Sequence, residues 1–308
     1  MPAINLVEYS KTLQAGTVER AVVELYAQSS DLLAAIPFKT TGGAYQYNLE
    51  STLPGIAYRG VNESYTPDTS IENPQVEQVF IAGGEADVDN FLLALDPARR
   101  AREESRKIKS MARAVTNAFL TGDNSTNPKS PDGLQRRLTG RTVIANSNTS
   151  GGAALSLAAL DEAIANTVDA THILLPFALR TKFGAVMRNP TLSGNLNLTK
   201  DDFGREVMNY NGLPFLVGYE TGPDTALLPF TETGAGGGTA QCSSIYVLSL
   251  KEGMVCGIQV QPMTVRDLGE MQDEPKHRTR VEWYNGFCIE NPYAATRLTS
   301  ITNAAIVA

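Results

Sequence analysis

The spacing of hydrophobic and polar residues changes several times along this 308-residue chain. Between residues 17 and 36 apolar side chains recur at helical spacing, with Thr17 as a candidate N-cap and Pro37 preventing continuation. Residues 44–50 and 75–91 alternate polar and apolar positions, as half-buried strands do. A long polar stretch separates them, which predicts an extended two-stranded arm. Such a hairpin is marginal in water, so we expect it to lie on another surface.

The strongest helical pattern spans residues 96–121, with Asp96 as its predicted N-cap and Pro97 at the first helical position. Its narrow apolar face is formed by Ala101, Ile108, Met111, Ala112, Val115, Ala118 and Phe119. A second, basic face includes Arg99, Arg102, Arg106, Lys109 and Arg113. This basic face is open to three interpretations: a solvated surface, a contact with an acidic neighbouring subunit, or a contact with nucleic-acid phosphates.

The helix leads into FLTGDNSTNPKSPDGL, residues 119–134, which is either a ligand loop or a tight change of direction. A calcium loop needs a glycine at its sixth position and a late glutamate. Counting from Asp123, the sixth residue is Pro128, and no glutamate follows nearby. The phosphate-binding pattern GxxxxGK[ST] is also absent. We therefore predict a structural turn in which Gly122 adopts the left-handed conformation that ends many helices.

Beyond residue 150 the pattern is mixed, and no internal repeat is visible. It predicts helices over 155–168 and 176–189, strands over 171–176, 212–220, 277–292 and 295–301, a hairpin over 243–261, and loops over 190–211 and 230–241. With the earlier elements, this pattern indicates an α+β fold.

Composition narrows the chemistry. The net charge of −7 argues against bulk attraction to nucleic acid, and 42% hydrophobic residues suffice for a sizeable core. Cys242, Cys256 and Cys288 are odd in number and far apart in sequence, so we predict three buried reduced thiols rather than a disulfide framework or a zinc site. His172 and His277 lack ligand partners at metal spacing. We therefore predict no catalytic, cofactor-binding or metal-ligating residues.

The order of elements is a docked helix, an extended arm, a long helix, the 119–134 segment, a mixed body and closing strands. This order resembles the major capsid proteins of tailed bacteriophages, which have the Hong Kong 97 fold. In that family the long spine helix often ends in a phenylalanine, followed by a Gly-Asp pair and a proline-to-Gly-Leu segment. The matching positions here are Phe119, Gly122, Asp123, Pro131, Gly133 and Leu134. The family also tends to open a strand with glycine-x-proline, matched by Gly212, Leu213 and Pro214, and to have a closing segment like Arg280–Ile301.

The resemblance implies an α+β Hong Kong 97-like capsid fold in four parts. These are an N-terminal arm and helix (1–35), an extended β-hairpin loop (36–92), a peripheral domain (93–150, completed by 271–308) and an axial domain (151–270). The extended loop would contact a neighbouring subunit through Ile56, Tyr58, Arg59 and Tyr65. A glycine loop at the capsomer axis would contain Gly234, Gly236, Gly237 and Gly238.

The implied function is self-assembly, through hexamers and pentamers, into an icosahedral shell around the double-stranded DNA of a tailed phage. The implied partners are further copies of the chain, a separate scaffolding protein, a portal, non-specifically packaged DNA and, optionally, a decoration protein. The implied location is the virion capsid, with assembly in the host cytoplasm. No membrane contact is expected, since no apolar run approaches the length that spans a bilayer.

Three alternatives stay open: an encapsulin-like compartment that encloses enzyme cargo, an α/β enzyme with a convergent site, and a tail or decoration protein. The sequence also departs from one feature of the best-known family member, which cross-links its shell through a lysine of the extended loop. No lysine occurs between Lys39 and Lys107, so this loop cannot supply one. We therefore predict a shell without covalent chainmail.

Overall fold

The computed structural model describes residues 4–5, 30–52, 55–65, 71–189, 196–200, 206–218 and 227–307. Its helices are α1 (Asp31–Ala35), α2 (Asn90–Leu95), α3 (Arg99–Thr121), α4 (Leu134–Arg137), α5 (Leu157–Ala165) and α6 (Phe177–Val186), with a 3-10 helix over Gly140–Thr142. Its strands are β1 (Ile4–Asn5), β2 (Pro37–Thr40), β3 (Ala44–Thr52), β4 (Ile71–Gln78), β5 (Phe80–Asp89), β6 (Val143–Ala145), β7 (His172–Pro176), β8 (Leu196–Lys200), β9 (Glu206–Tyr210), β10 (Leu213–Gly218), β11 (Cys242–Leu248), β12 (Val255–Gln259), β13 (Thr264–Glu270), β14 (Lys276–Ile289) and β15 (Ala295–Thr302).

Strand β14 is the centre of a six-stranded sheet with the order β1-β2-β12-β14-β13, to which β5 also pairs. Its first ten residues pair antiparallel with β5, from Lys276 opposite Asp89 to Asn285 opposite Phe80. On its other side β14 pairs first with β13 and then with β12. The single tryptophan, Trp283, is buried in the core beneath this sheet, where its indole N–H donates to the side chain of Gln259 (3.0 Å).

A seven-stranded sheet has the order β6-β15-β11-β7-β10-β9-β8. Strands β7 and β10 are parallel, and the intervening α6 packs against them, so β7 reads as the continuous apolar run of a strand buried on both faces. The chain passes between the two sheets at 249–254 and again at 290–294. Residues 146–153 and 230–241 therefore lie at the opposite end of the seven-stranded sheet, where Cys242 pairs with Thr302.

The sheets distribute the chain differently from the predicted domain boundaries. Strands β12 and β13, within 255–270, belong to the sheet of β14, whereas β15 joins the seven-stranded sheet. The predicted hairpin over 243–261 is wrong, because β11 and β12 belong to different sheets and the turn between them crosses over. The predicted loop over 190–211 is also wrong where it is described, since β8 and β9 form an antiparallel pair. Only Leu196 of β8 is buried. The other residues of this edge strand are exposed and mostly polar, so the sequence pattern does not indicate a strand.

Of the helix predicted over residues 17–36, the structure describes only residues 30–36. Helix α1 begins after Ser30, whose hydroxyl accepts a hydrogen bond from the Leu33 amide (3.4 Å). The same hydroxyl lies 2.9 Å from that of Thr116 in α3, which docks the helix on the spine. Strand β2 begins at Pro37, so the predicted stop is confirmed. The predicted N-cap Thr17 lies outside the described residues.

The spine helix α3 begins later than the sequence predicts. A separate short helix, α2, precedes it and is capped by Asp89, whose carboxylate accepts from the Phe91 amide (2.8 Å). Asp96 lies between the two helices, where its carboxylate accepts from the Ala98 amide (3.1 Å) and pairs with Arg102. The predicted capping role of Asp96 is therefore wrong by two residues, because Ala98 occupies the N-cap position of α3. The 23 residues of α3 give a rod of about 35 Å.

The apolar face of α3 begins further along the helix than predicted. Ala101 is exposed. The first turn of α3 contacts the sheet through polar groups instead, such as the Arg100–Asp267 ion pair (2.7 Å). At the other end, the Phe119 ring lies 4.6 Å from that of Phe287 in β14. The buried residues of α3 are Ile108, Met111, Ala112, Val115, Thr116, Phe119 and Leu120.

The 119–134 segment is a structural crossing of two backbone stretches, as predicted, but for a different reason. Gly122 has φ −54°, so its predicted left-handed conformation is wrong. A Cβ on Gly122 would overlap the carbonyl oxygen of Pro131, and a Cβ on Gly133 would lie 2.7 Å from the Leu120 carbonyl. The Gly133 amide donates to the Gly122 carbonyl (2.8 Å). Both glycines are thus required by close backbone approach.

Replacing Gly133 by alanine should destabilise the fold by about 1–3 kcal/mol, because the added methyl group has no room beside Leu120. Urea unfolding of the unassembled chain, followed by Trp283 fluorescence, measures the change. Gly184→Ala in α6 is the matched control: no atom lies within 4 Å of its added Cβ, and alanine favours a helix more than glycine. Equal unfolding midpoints for G133A and the native chain would contradict the crossing's role.

Candidate subunit-contact surface

The predicted arm is an antiparallel hairpin of β3 and β4. Its register runs from Ala44 opposite Gln78 to Thr52 opposite Ile71, with one irregularity near the far end. Strand β4 passes into β5 with a break only at Val79, so the returning strand of the arm continues directly into the six-stranded sheet. The predicted pair of long alternating strands is therefore confirmed.

The arm tip, residues 55–65, is exposed throughout. The apolar side chains of Ile56 (96%), Tyr58 (102%) and Val61 (92%) are almost wholly accessible, and Tyr65 is 63% exposed. The predicted contact residues thus share one accessible segment, and Val61 joins them although the sequence analysis did not select it. Several large exposed apolar side chains in one short segment are typical of an interaction site.

The arm tip has local order. The Gly60 amide donates to the Glu63 carboxylate (2.7 Å), and Arg59 donates to the backbone carbonyl of Glu63 (3.1 Å). The guanidinium of Arg59 lies 5.3 Å from the centroid of the Tyr65 ring, a cation–π distance. Arg59 therefore shapes the tip, in addition to its predicted role in contacting a neighbour.

The base of the arm is anchored by an ion pair between Arg137 of α4 and Glu77 of β4, with Nη2 and Oε2 2.8 Å apart and a second bond from Nη1. The Arg137 Nε also donates to the Asp132 carbonyl (2.8 Å). Burial by itself lowers the pKa of Arg137, but the bond to Glu77 outweighs it and the pKa is raised. Burial, with the nearby charge of Glu77, raises the pKa of Tyr47. The 119–134 crossing thus positions α4 to hold the arm.

A second anchor joins β2, β3 and the end of β14. The Lys39 ammonium donates to Glu290 Oε1 (2.5 Å) and to the Tyr45 hydroxyl (3.1 Å). Burial by itself lowers the pKa of Lys39, yet the hydrogen bonds to Glu290 and Tyr45 raise it overall. Burial raises the pKa of Glu290, but the bond from Lys39 outweighs it and the pKa is lowered. Both partners therefore stay charged across the ordinary pH range.

The basic face of α3 is partly neutralised within the chain. Arg102 pairs with Asp96, and Arg106 pairs with Glu103 (2.7 Å). The members that form no ion pair with any residue of the described ranges are Arg99, Lys109 and Arg113. The patch is consequently weaker than the sequence indicates, and its partner stays a prediction.

The glycine loop lies at the end of the seven-stranded sheet that faces away from the six-stranded sheet. The Gly237 amide donates to the Gly234 carbonyl (2.9 Å), and the Gly151 amide donates to the Gly237 carbonyl (2.8 Å). The Ala235 amide donates to the Ser300 hydroxyl (2.7 Å). This loop, including Gly236 and Gly238, thus packs on the neighbouring 146–153 turn, and its place at a capsomer axis stays a prediction.

The remaining candidates belong to the core. His172 is largely buried, its Nδ1 lies 2.9 Å from the Thr171 hydroxyl, and burial lowers its pKa to about 4, so it is neutral near pH 7. The three cysteines are free and buried, as predicted. Cys256 and Cys288 face each other beside Glu290, which their spacing in the sequence does not predict, because the register of β12 and β14 brings them together. Among the described helices, none is both long and apolar enough to cross a membrane.

Comparisons with known proteins show which families and structures this chain resembles. The family model of the major capsid protein GP7 matches residues 14–156, slightly less than half of the chain. The SrpI encapsulin of Synechococcus elongatus PCC 7942 superposes with a TM-score of 0.63 at 16% identity, covering 99% of each chain. A protein of Mycobacterium phage Adephagia gives 0.62 at 14% identity, covering 98% of each chain. The capsid of a native GTA particle gives 0.61 at 14% identity, covering 89% of this chain and 91% of that one. No curated protein matches the sequence.

The fold is therefore that of shell-forming proteins of the Hong Kong 97 type. The family-model match over residues 14–156, together with this fold, confirms the resemblance to tailed-phage major capsid proteins.

Arg137→Ala should loosen the arm, because it leaves the Glu77 carboxylate half-buried without its counter-charge. We expect amide hydrogen exchange in 44–49 and 73–78 to accelerate by roughly tenfold. Arg136→Ala is the matched control, since Arg136 pairs with Asp123 and Asp132 and forms no ion pair with a described residue of the arm. Equal exchange in R137A and R136A would show that the ion pair does not anchor the arm.

Proposed function

We propose that the chain is the subunit of an icosahedral shell that encloses the double-stranded DNA of a tailed phage. The observation that carries this proposal is the arm, a ribbon anchored at its base and apolar at its exposed tip. A subunit that reaches across its neighbour makes a heterologous contact, and such contacts close into rings such as hexamers and pentamers. The match to a major capsid protein family supports the phage form of the shell.

Contact between neighbouring copies buries the arm tip. At about 25 cal/mol per Å², covering one large apolar side chain contributes roughly 2 kcal/mol, and the tip carries Ile56, Tyr58, Val61 and Tyr65. Ordering the arm and losing translational freedom offset much of this gain. Each contact is consequently modest, and stability comes from the number of contacts in a closed shell.

The role is structural and non-catalytic, and the shell is the virion capsid, assembled in the host cytoplasm. We assign the glycine loop to the capsomer axis and leave Arg99, Lys109 and Arg113 to meet an acidic neighbour or packaged DNA. The net charge of −7 favours weak, non-specific contact with DNA, which permits both packing and release. A separate scaffolding protein, a portal and an optional decoration protein complete the assembly.

An encapsulin-like compartment is the second candidate. The observation in its favour is the likeness to the SrpI encapsulin, which covers 99% of both chains. That protein shares the fold with the phage capsids, so fold does not separate a DNA container from an enzyme container.

Electron microscopy of particles purified from the native source tests the proposal. Closed shells that contain nuclease-protected double-stranded DNA are the expected result. Shells with protein cargo and no DNA would favour the encapsulin-like candidate. Dispersed single chains at concentrations where capsid proteins assemble would overturn both.

Replacing Ile56 and Tyr58 together by serine should abolish closed shells. Each replaced side chain removes roughly 2 kcal/mol of stabilisation by apolar burial from every subunit contact. Soluble monomers or loose capsomers should replace the shells in sedimentation profiles. Val168→Ser is the control, since Val168 is an exposed apolar residue outside the arm. Shells of normal yield from the double variant, or from a deletion of residues 52–70, would refute the role of the arm.

Mature particles should dissociate into single chains on a boiled, reduced gel. The reason is chemical, since the arm region between Lys39 and Lys107 contains no lysine amine that could form an isopeptide bond, and Lys39 is held by Glu290. A ladder of covalently linked subunits under these conditions would contradict this prediction.

A further inference from the structure

A pair of thiols lies inside the six-stranded sheet directly below the base of the arm. Cys256 of β12 and Cys288 of β14 are opposite each other in the antiparallel register, and their Sγ atoms are 2.8 Å apart. Both side chains are fully buried, and Tyr45, Tyr47 and Val79 of the arm base pack against the pair. The proposed function makes no use of this arrangement.

The geometry is already close to that of a cystine. Residues opposite each other in antiparallel strands have Cα atoms about 4.5–5.5 Å apart, within the range that a disulfide spans. A bonded pair of sulfurs is separated by about 2.05 Å, so the two Sγ atoms need to approach by less than about 1 Å. Side-chain rotation supplies such a movement without a shift of the backbone ladder.

We propose that Cys256 and Cys288 are a redox-convertible pair that closes to an intrachain disulfide when the chain meets a small-molecule disulfide oxidant. One cysteine loses its proton, and its thiolate attacks a sulfur of the oxidant and expels the first small thiol as a thiolate. The second cysteine, deprotonated in turn, attacks the cysteine sulfur of this mixed disulfide and expels the second. The protein loses two protons and two electrons, and the oxidant is reduced to two thiols.

A metal site is the competing use of the same atoms, because Glu290 brings a carboxylate within reach of both thiols: Cys256 Sγ lies 3.2 Å and Cys288 Sγ 3.8 Å from its Oε1. That oxygen is already held by the Lys39 ammonium at 2.5 Å, so a fixed positive charge lies beside the position of a cation. Zinc prefers four ligands, and the described residues supply three. The surroundings therefore favour a sulfur–sulfur bond over a metal.

The reduced pair is protected while the sheet is closed. The pKa of the Cys256 thiol is raised well above its ordinary value, mainly by the hydrogen bond with Cys288 and secondly by burial. The thiolate is the attacking species, so the folded chain reacts slowly. Oxidation consequently depends on transient opening at the arm base, and the product joins β12 to β14 and closes the loop 256–288.

The test uses the full-length chain with Cys242→Ser, so that only the two paired thiols remain. The protein is incubated with oxidised glutathione, unfolded in N-ethylmaleimide and analysed by intact mass and by non-reducing peptide mapping. We expect a linked Cys256–Cys288 peptide, no alkylation, and at least tenfold faster closure in urea below the unfolding midpoint. The oxidised chain should unfold at a higher temperature than the reduced chain. Cys288→Ser in the same background is the control and should give no internal link.

Two results would overturn the proposal. The first is a chain that still accepts two maleimides, or carries glutathione on both cysteines, after unfolding and refolding in the oxidant. The second is stoichiometric retention of Zn²⁺, or thiolate-to-Co²⁺ charge-transfer absorption, in the reduced C242S chain after dialysis against the metal. Neither result depends on shell formation, so both are distinguishable from failure of the proposed function.

Discussion

The antiparallel ladder between β5 and β14 is the constraint on which the rest of the structure depends. Ten consecutive residue pairs hold the returning strand of the arm to β14, the longest of the described strands. The outward side of this ladder carries cross-strand ion pairs, among them Arg278 with Asp87 (2.6 Å) and Arg280 with Glu85 (2.6 Å). Such exposed pairs contribute little stability each, but they favour one register over a slipped one.

Strand β14 also connects the ladder to everything else. Its inner side chains pack on the spine helix through Phe287 and Phe119, and its last residues pair with β12, which leads back to the seven-stranded sheet. The arm, the spine and the second sheet therefore share one strand. This packing leaves the tip of the arm uncovered, with Ile56, Tyr58 and Val61 almost wholly exposed.

Local patterns predicted the elements whose residues report their own environment. The alternation in β3–β5 and the proline at the start of β2 give the arm and the end of α1 directly, because strand and helix periods are local properties. The contact residues at the arm tip follow from apolar side chains in a polar stretch. Local patterns did not predict the polar edge strand β8 or the crossing between β11 and β12. Both depend on which strands pair with them, and pairing is not a local property of the sequence.

Long-range pairing also explains why two features near the arm were not predicted from the sequence. The Arg137–Glu77 anchor joins residues 60 positions apart, and the Cys256–Cys288 pair depends on the register of two strands rather than on spacing. Gly122 illustrates a different limit: its position was predicted, but its reason is a backbone crossing with Pro131 and Gly133, nine and eleven positions further on.

The direct passage of β4 through Val79 into β5 has a mechanical consequence. A pull on the arm tip is directed along β5, parallel to its neighbour, whereas the hydrogen bonds between the two strands lie across that direction. All bonds of the ladder therefore share the load at once instead of opening one after another. The attachment of the arm is therefore expected to resist tension applied along the strand.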